Sequence, residues 1–147
     1  MSRPVFMSAD HVDQMNVILQ DASSVHAVCR DLDRRYTVCY ELHDGPQGQQ
    51  VHWSMVFDPA LGVRMGLDRL EHADLTLVGD WVDAIRAAEA QRRGEQHDAG
   101  MEMRGNTKVL ETVGAAHVAA QQVAVVDIVF PDLPAPSAES SADAATR

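Results

Sequence analysis

Lysine is nearly missing from this chain: Lys108 stands alone among twelve basic residues, against 22 acidic ones. The formal net charge of −10 leaves no basic face from which counterions could be released. Nucleic acid is therefore excluded as a partner, and contact with an anionic membrane is expected to be transient at most. The use of arginine for the other cations suggests a GC-rich, bacterial coding sequence. Cysteine is also scarce. Cys29 and Cys39 make no disulfide framework, and reduced thiols in a cytoplasmic protein are the expectation. No run approaches the roughly eighteen apolar residues of a membrane span. The opening MSRPVFMSADH has no apolar core of a secretory signal.

Catalytic and metal signatures are missing too. There is no G-x-S-x-G, no G-x-G-x-x-G and no phosphate loop. The seven histidines never fall at H-x-x-x-H or H-E-x-x-H spacing, and the cysteines do not form C-x-x-C, so neither a metal nor a cofactor is expected. His97-Asp98, Asp74 and Glu102 remain as isolated acid–base groups. Neighbouring strand residues point to opposite faces, so His97-Asp98 forms a dyad only if it lies in a loop.

What is present is periodicity. Ser8 is a candidate N-cap, followed by Val12, Met15, Ile18, Leu19, Ala22, Val25, Cys29 and Leu32 at helical spacing, with a break near Ser23-Ser24. At Tyr36 the period changes to two. Tyr36–Leu42, Val51–Phe57 and Leu61–Leu67 alternate apolar with polar or small residues, joined by turns at Asp44–Gly48 and Asp58-Pro59. These three should pair as an antiparallel meander.

The stretch Ala73–Asn106 then reads strand, helix, strand, helix start. Leu75 and Leu77 alternate with Asp74 and Thr76. Asp80 is a plausible N-cap, Trp81, Ile85 and Ala88 share one helical face, and Gly94 ends that helix. Met101 and Met103 alternate with Glu102 and Arg104. Val109, Leu110, Val113 and Ala116 continue helically to about Ala120, despite Gly114. Val123–Phe130 fits either an extended or a helical segment. Each strand has one apolar face, which predicts a sheet covered by helices on one side only.

The predicted class is α+β: a five-stranded, largely antiparallel sheet with helices on one face. Residues 1–7 are expected to form a flexible arm, 8–130 the domain, and 131–147 a disordered acidic Pro/Ala/Ser tail.

In their order, Tyr36–Gly48, Val51–Gly66 with its tryptophan, Ala73–Leu77 and Gly100–Asn106 (GMEMRGN) resemble the sterol-carrier-protein family, the sterol-binding or nonspecific lipid-transfer domain. The resemblance covers about Tyr36–Ala120 and is that of a stand-alone member. It implies an apolar tunnel between sheet and helices that binds a lipid, sterol, fatty acyl chain or other apolar metabolite, and transfers or presents it without chemistry. Three departures stand out. No aromatic pair precedes the fifth strand, the Val123–Phe130 extension has no clear counterpart, and the chain ends Ala-Thr-Arg, which is not a peroxisomal address.

Four methionines fall on the expected inward faces, and methionine moulds to varied apolar partners better than it specifies a unique core. The expected lining is Trp53, Met55, Met65, Leu75, Trp81, Ile85, Met101, Met103, Leu110 and Val113. Two other readings stand beside this one. The same apolar pocket, with one carboxylate, could promote cyclisation or isomerisation of an apolar intermediate. Alternatively, an apolar groove could take a partner's helix or tail, as an accessory module does. The periodicity indicates no oligomeric state.

Overall fold

Ser8 starts the first helix as its residue type demands: its hydroxyl accepts the His11 backbone N–H at 3.3 Å. A computed structural model of the chain describes residues 3–133. Helix α1 spans Ala9–Asp21 and α2 spans Ser23–Cys29, separated at Ala22, which is extended. Strand β1 (Tyr36–His43) pairs antiparallel with β2 (Val51–Asp58), which pairs antiparallel with β3 (Gly62–Gly66). The expected meander is therefore present.

The chain then crosses to the other side of β1. Strand β4 (Leu75–Asp80) lies parallel to β1, with Val38 beside Leu75. Helix α3 (Trp81–Arg92) follows directly, and Asp80 caps it by accepting the Asp83 N–H at 3.1 Å. Strand β5 (Glu102–Gly105) returns antiparallel to β4. The sheet order is β3-β2-β1-β4-β5, mixed, with a single parallel pair.

Strand β4 begins at Leu75 because Asp74 is otherwise engaged. Its carboxylate accepts the Thr37 backbone N–H at 2.8 Å and two bonds from the Arg34 guanidinium, at 3.1 and 3.3 Å. This clamp fixes the parallel register at its first residue. Gly105, at φ 109°, ends β5 where an added Cβ would lie 2.6 Å from the Asp74 carbonyl oxygen.

The last helical stretch divides at Val113, whose φ/ψ of −97/4° leaves the helical region. Helix α4 (Val109–Thr112) is one turn, and α5 (Gly114–Val123) follows. Of Val123–Phe130, ambiguous in sequence, Val123 closes α5 and the rest is neither helix nor strand, apart from an isolated parallel bridge from Val129 to Val5. That bridge corrects one expectation. The residues before Ser8 are not a loose arm from Pro4 onward: Phe6 donates its N–H to the Val129 carbonyl at 2.8 Å, and Val129 donates to Pro4 at 2.9 Å. The tail expected over 131–147 falls mostly outside the described residues, which end at Leu133.

All helices described pack on the face bearing Val38, Met55, Phe57, Val63 and Leu75, and the main core forms there. The opposite face carries Thr37, Glu41, His52, Arg64 and Arg104. At its centre Cys39 and Ser54, opposite one another, are buried among longer neighbours. Edge strand β3 is closed by α1: the Asn16 amide donates to the Met65 carbonyl at 2.9 Å and accepts the Met65 N–H at 2.8 Å. Edge strand β5 is exposed along its whole length.

Candidate functional site: an apolar cavity between sheet and helices

Sheet and helices do not meet everywhere. A cavity of about 640 Å³ lies between them, inside the range of roughly 300–1,000 Å³ usual for small-molecule sites. Its sheet wall is Tyr40, Trp53, Met55, Val63, Met65 and Leu77. Its helical wall comes from α1 (His11, Met15, Leu19), α3 and α5. The space exists because the helices present alanine there. Ala84, Ala87 and Ala88 fall at i, i+3 and i+4 on α3, with Ala120 opposite on α5. Larger side chains at these positions would fill the volume. Met101 reaches the cavity across Gly79, where an added Cβ would sit 2.9 Å from the Met101 Cγ. The cavity reaches the surface near the C-terminal ends of α3 and α5, where Gln91, Arg92 and Val125 are exposed.

Phe6 packs against the Trp53 side of this wall. Its ring lies 5.5 Å from Trp53, nearly perpendicular to it, 5.1 Å from Phe130 and 5.6 Å from His11. Such aromatic pairs each contribute about 0.5–1.5 kcal/mol beyond area burial.

Four of the ten lining residues expected from sequence are brought together here: Trp53, Met55, Met65 and Met101. The other six lie elsewhere. Leu75 and Val113 are buried in the solid core, beside Val109 and Val38. Trp81 and Ile85 belong to a second cluster with Leu42, Trp53 and Ala84, which backs the cavity wall but itself reaches the cavity only through Trp53 and Ala84. Met103 is 48% exposed, because β5 is an edge strand that extends beyond the helical cover. Leu110 is 41% exposed: in the short α4 the inward pair is Val109 and Val113, at i and i+4, which turns Leu110 outward.

Sequence reasoning did not find Phe6, Met7, His11, Met15 or the alanines. The alanine stripe was a readable signal, since three small residues at helical spacing on an inward face leave volume behind. Phe6 and Met7 carried none.

The titratable groups of the wall are few. Burial pushes the His11 pKa below its ordinary value, and the Arg92 charge pushes it further. Burial also lowers His117, which lies edge-on to Phe57, and raises the Tyr40 phenol. No Asp or Glu is among the described lining residues. The acidic groups singled out in sequence are engaged elsewhere. Asp74 forms the β1–β4 clamp, Asp98 accepts the Gly100 N–H at 2.8 Å, and Glu102 pairs with Arg104. His97 lies 3.9 Å from Asp83. Among the described residues no group of three or more His, Cys, Asp or Glu is placed to hold a metal, and no helix is long and apolar enough to cross a membrane.

No protein-family model and no curated protein sequence matches this chain. Solved structures do match its fold. A conserved hypothetical protein from Thermus thermophilus, described as a candidate sterol carrier protein, superposes with a TM-score of 0.53 at 15% identity, covering 84% of this chain and 92% of that one. Sterol carrier protein 2 superposes with a TM-score of 0.51 at 12% identity, covering 80% of this chain and 98% of that one. The chain thus has an α+β fold of the sterol-carrier-protein-2 type: an open five-stranded sheet, mostly antiparallel, with helices on one face.

Proposed function

We propose that this domain binds a hydrophobic small molecule, such as a lipid, sterol, fatty acyl chain or apolar metabolite, in the cavity between sheet and helices, and transfers or presents it without chemistry. The observation that carries this reading is the cavity itself: a volume kept open by alanines and walled by five methionines, Met7, Met15, Met55, Met65 and Met101. A chain selected only for stability would fill such a space, since unfilled core volume destabilises in proportion to its size. Methionine's flexible thioether suits a wall that must fit ligands of differing shape.

The energetics suit a carrier. Removing about 300 Å² of ligand apolar surface from water contributes roughly 7 kcal/mol at about 25 cal/mol per Å². Association and ordering costs reduce this toward micromolar affinity, from which release is fast. The solved sterol carrier protein of the same fold supports the reading through its name alone.

Native mass spectrometry of the freshly purified full chain, with the organic extract analysed beside it, tests the proposal. A co-purifying apolar molecule near stoichiometric amount is expected. A protein that carries nothing and binds neither fatty acids nor sterols would overturn it.

A further inference from the structure

His11 holds one atom out of balance. The residue is 1% exposed and forms part of the cavity wall. Its Nδ1 accepts the Met7 backbone N–H at 2.8 Å, so Nδ1 presents its lone pair and the proton of the neutral ring sits on Nε2. Nε2 is enclosed and has no hydrogen-bond partner among the described residues. Burial and the nearby Arg92 charge both favour the neutral ring, which leaves Nε2–H as a donor without an acceptor. Buried polar atoms are rarely left so, because the lost hydration is not replaced.

The surroundings say what is missing. Phe6 packs against the imidazole, Met7 is tied to it, and among the described residues no carboxylate lines the cavity. We infer that the His11 Nε2–H is the recognition donor of this cavity, and that its ligand is an apolar chain bearing a carbonyl or carboxylate oxygen to accept it. The inference rests on the ligand-binding reading above and adds a polar requirement to it. The chain of such a molecule lies along Met15, Leu19, Met55 and Met65. Its oxygen meets the enclosed Nε2 once a covering side chain turns aside; Phe6, whose ring lies on the imidazole, and Met7, bonded to its Nδ1, are its described neighbours. Both belong to the N-terminal segment, which two backbone hydrogen bonds hold to Val129. An uncharged carbonyl uses His11 alone; a carboxylate also gains the Arg92 guanidinium.

Three probes of equal chain length test this on the full chain: dodecanoate, its methyl ester and dodecane. Side-chain NMR of isotope-labelled histidine follows the His11 Nε2–H while affinities are measured. Dodecanoate or the ester, or both, should bind and shift that resonance, whereas dodecane should bind more weakly and leave it in place. His11→Phe, which keeps ring volume and removes the donor, should weaken the oxygen-bearing probes about tenfold while sparing dodecane. Arg92→Gln separates the head groups: a selective loss of dodecanoate marks a carboxylate, and equal retention marks a carbonyl. Equal affinity for all three probes with an unmoved resonance overturns the donor assignment and leaves the carrier reading standing. Failure of every probe to bind overturns the inference, and the carrier reading falls with it only if the protein also carries nothing and binds no sterol. The titration of the unaltered protein decides the matter even if His11→Phe does not fold.

Discussion

Ala88 lines the cavity and Trp81, two turns earlier on the same helix, does not. Substitution at the two should therefore have opposite consequences. Ala88→Phe fills ligand space and is expected to weaken binding of a fatty acid at least tenfold with little loss of melting temperature, checked by ligand titration and thermal unfolding. Trp81→Ala removes a large side chain from the cluster with Leu42 and Ile85. It should destabilise the domain by about 3–5 kcal/mol, read by denaturant unfolding, with no selective effect on ligand affinity. At this scale the sequence was legible where a residue's face followed from strand alternation. Trp53 and Met55 lie on the interior strand β2 and Met65 on β3, whose edge α1 covers, and all three point as period two requires. It was not legible where the answer depended on what covers the face. Met103 shares the row of Leu77, yet only Leu77 lies beneath helices. Likewise Leu110 and Val109 are adjacent apolar residues, and the phase of a one-turn helix, which no short pattern fixes, decides between them.

Among the elements, the β1–β4 pairing depends most on a single side chain. Parallel strands lack a tight turn to set their register, and here Asp74 sets it by gripping Thr37 and Arg34. Burial works to raise the Asp74 carboxyl, but the bonds from Arg34 and Thr37 outweigh it and hold it below the ordinary carboxylate value. A depressed carboxyl contributes stability that is present above the unfolded value of about 3.9 and lost as pH falls through the folded one. Asp74→Asn should therefore lower the melting temperature at neutral pH and flatten its fall below about pH 4, measured by thermal scans across pH. The terminal segments form a second such unit. Removing residues 1–6 takes away Phe6 and its contacts with Trp53 and Phe130, and ending the chain at Ala124 removes the buried Val126 and Ile128. Either truncation should lower the melting temperature by several degrees. Helices α1 and α3 and the three-strand meander were readable because each has its own caps or turns. The pairing of Val5 with Val129 was not: it joins chain ends more than a hundred residues apart, and neither end has a local signature.

Across the whole molecule, two imidazoles give the fold a response to mild acid. His11 and His117 both titrate below their ordinary value, chiefly through burial. The unfolded chain therefore binds their protons first, and their contribution is complete above about pH 6.5 and declines as pH falls through the folded values. Melting temperature should begin to drop below about pH 6.5, well before the carboxylates respond. Bound ligand should raise the melting temperature across the pH range without moving that onset, because occupancy of the cavity stabilises the folded form by mass action and leaves the unfolded imidazoles unchanged. The class of fold was open to reading because five one-faced strands admit few arrangements, whereas the volume of the cavity is a difference between two packed layers and appears in no local pattern. The Asn16 amide that bonds Met65 has a consequence for assembly. With the β3 side held by α1 at Met65, the edge that the described residues leave open to a foreign strand is Glu102–Gly105. Two copies pairing there would occupy each other's open edge, an arrangement that closes into a pair.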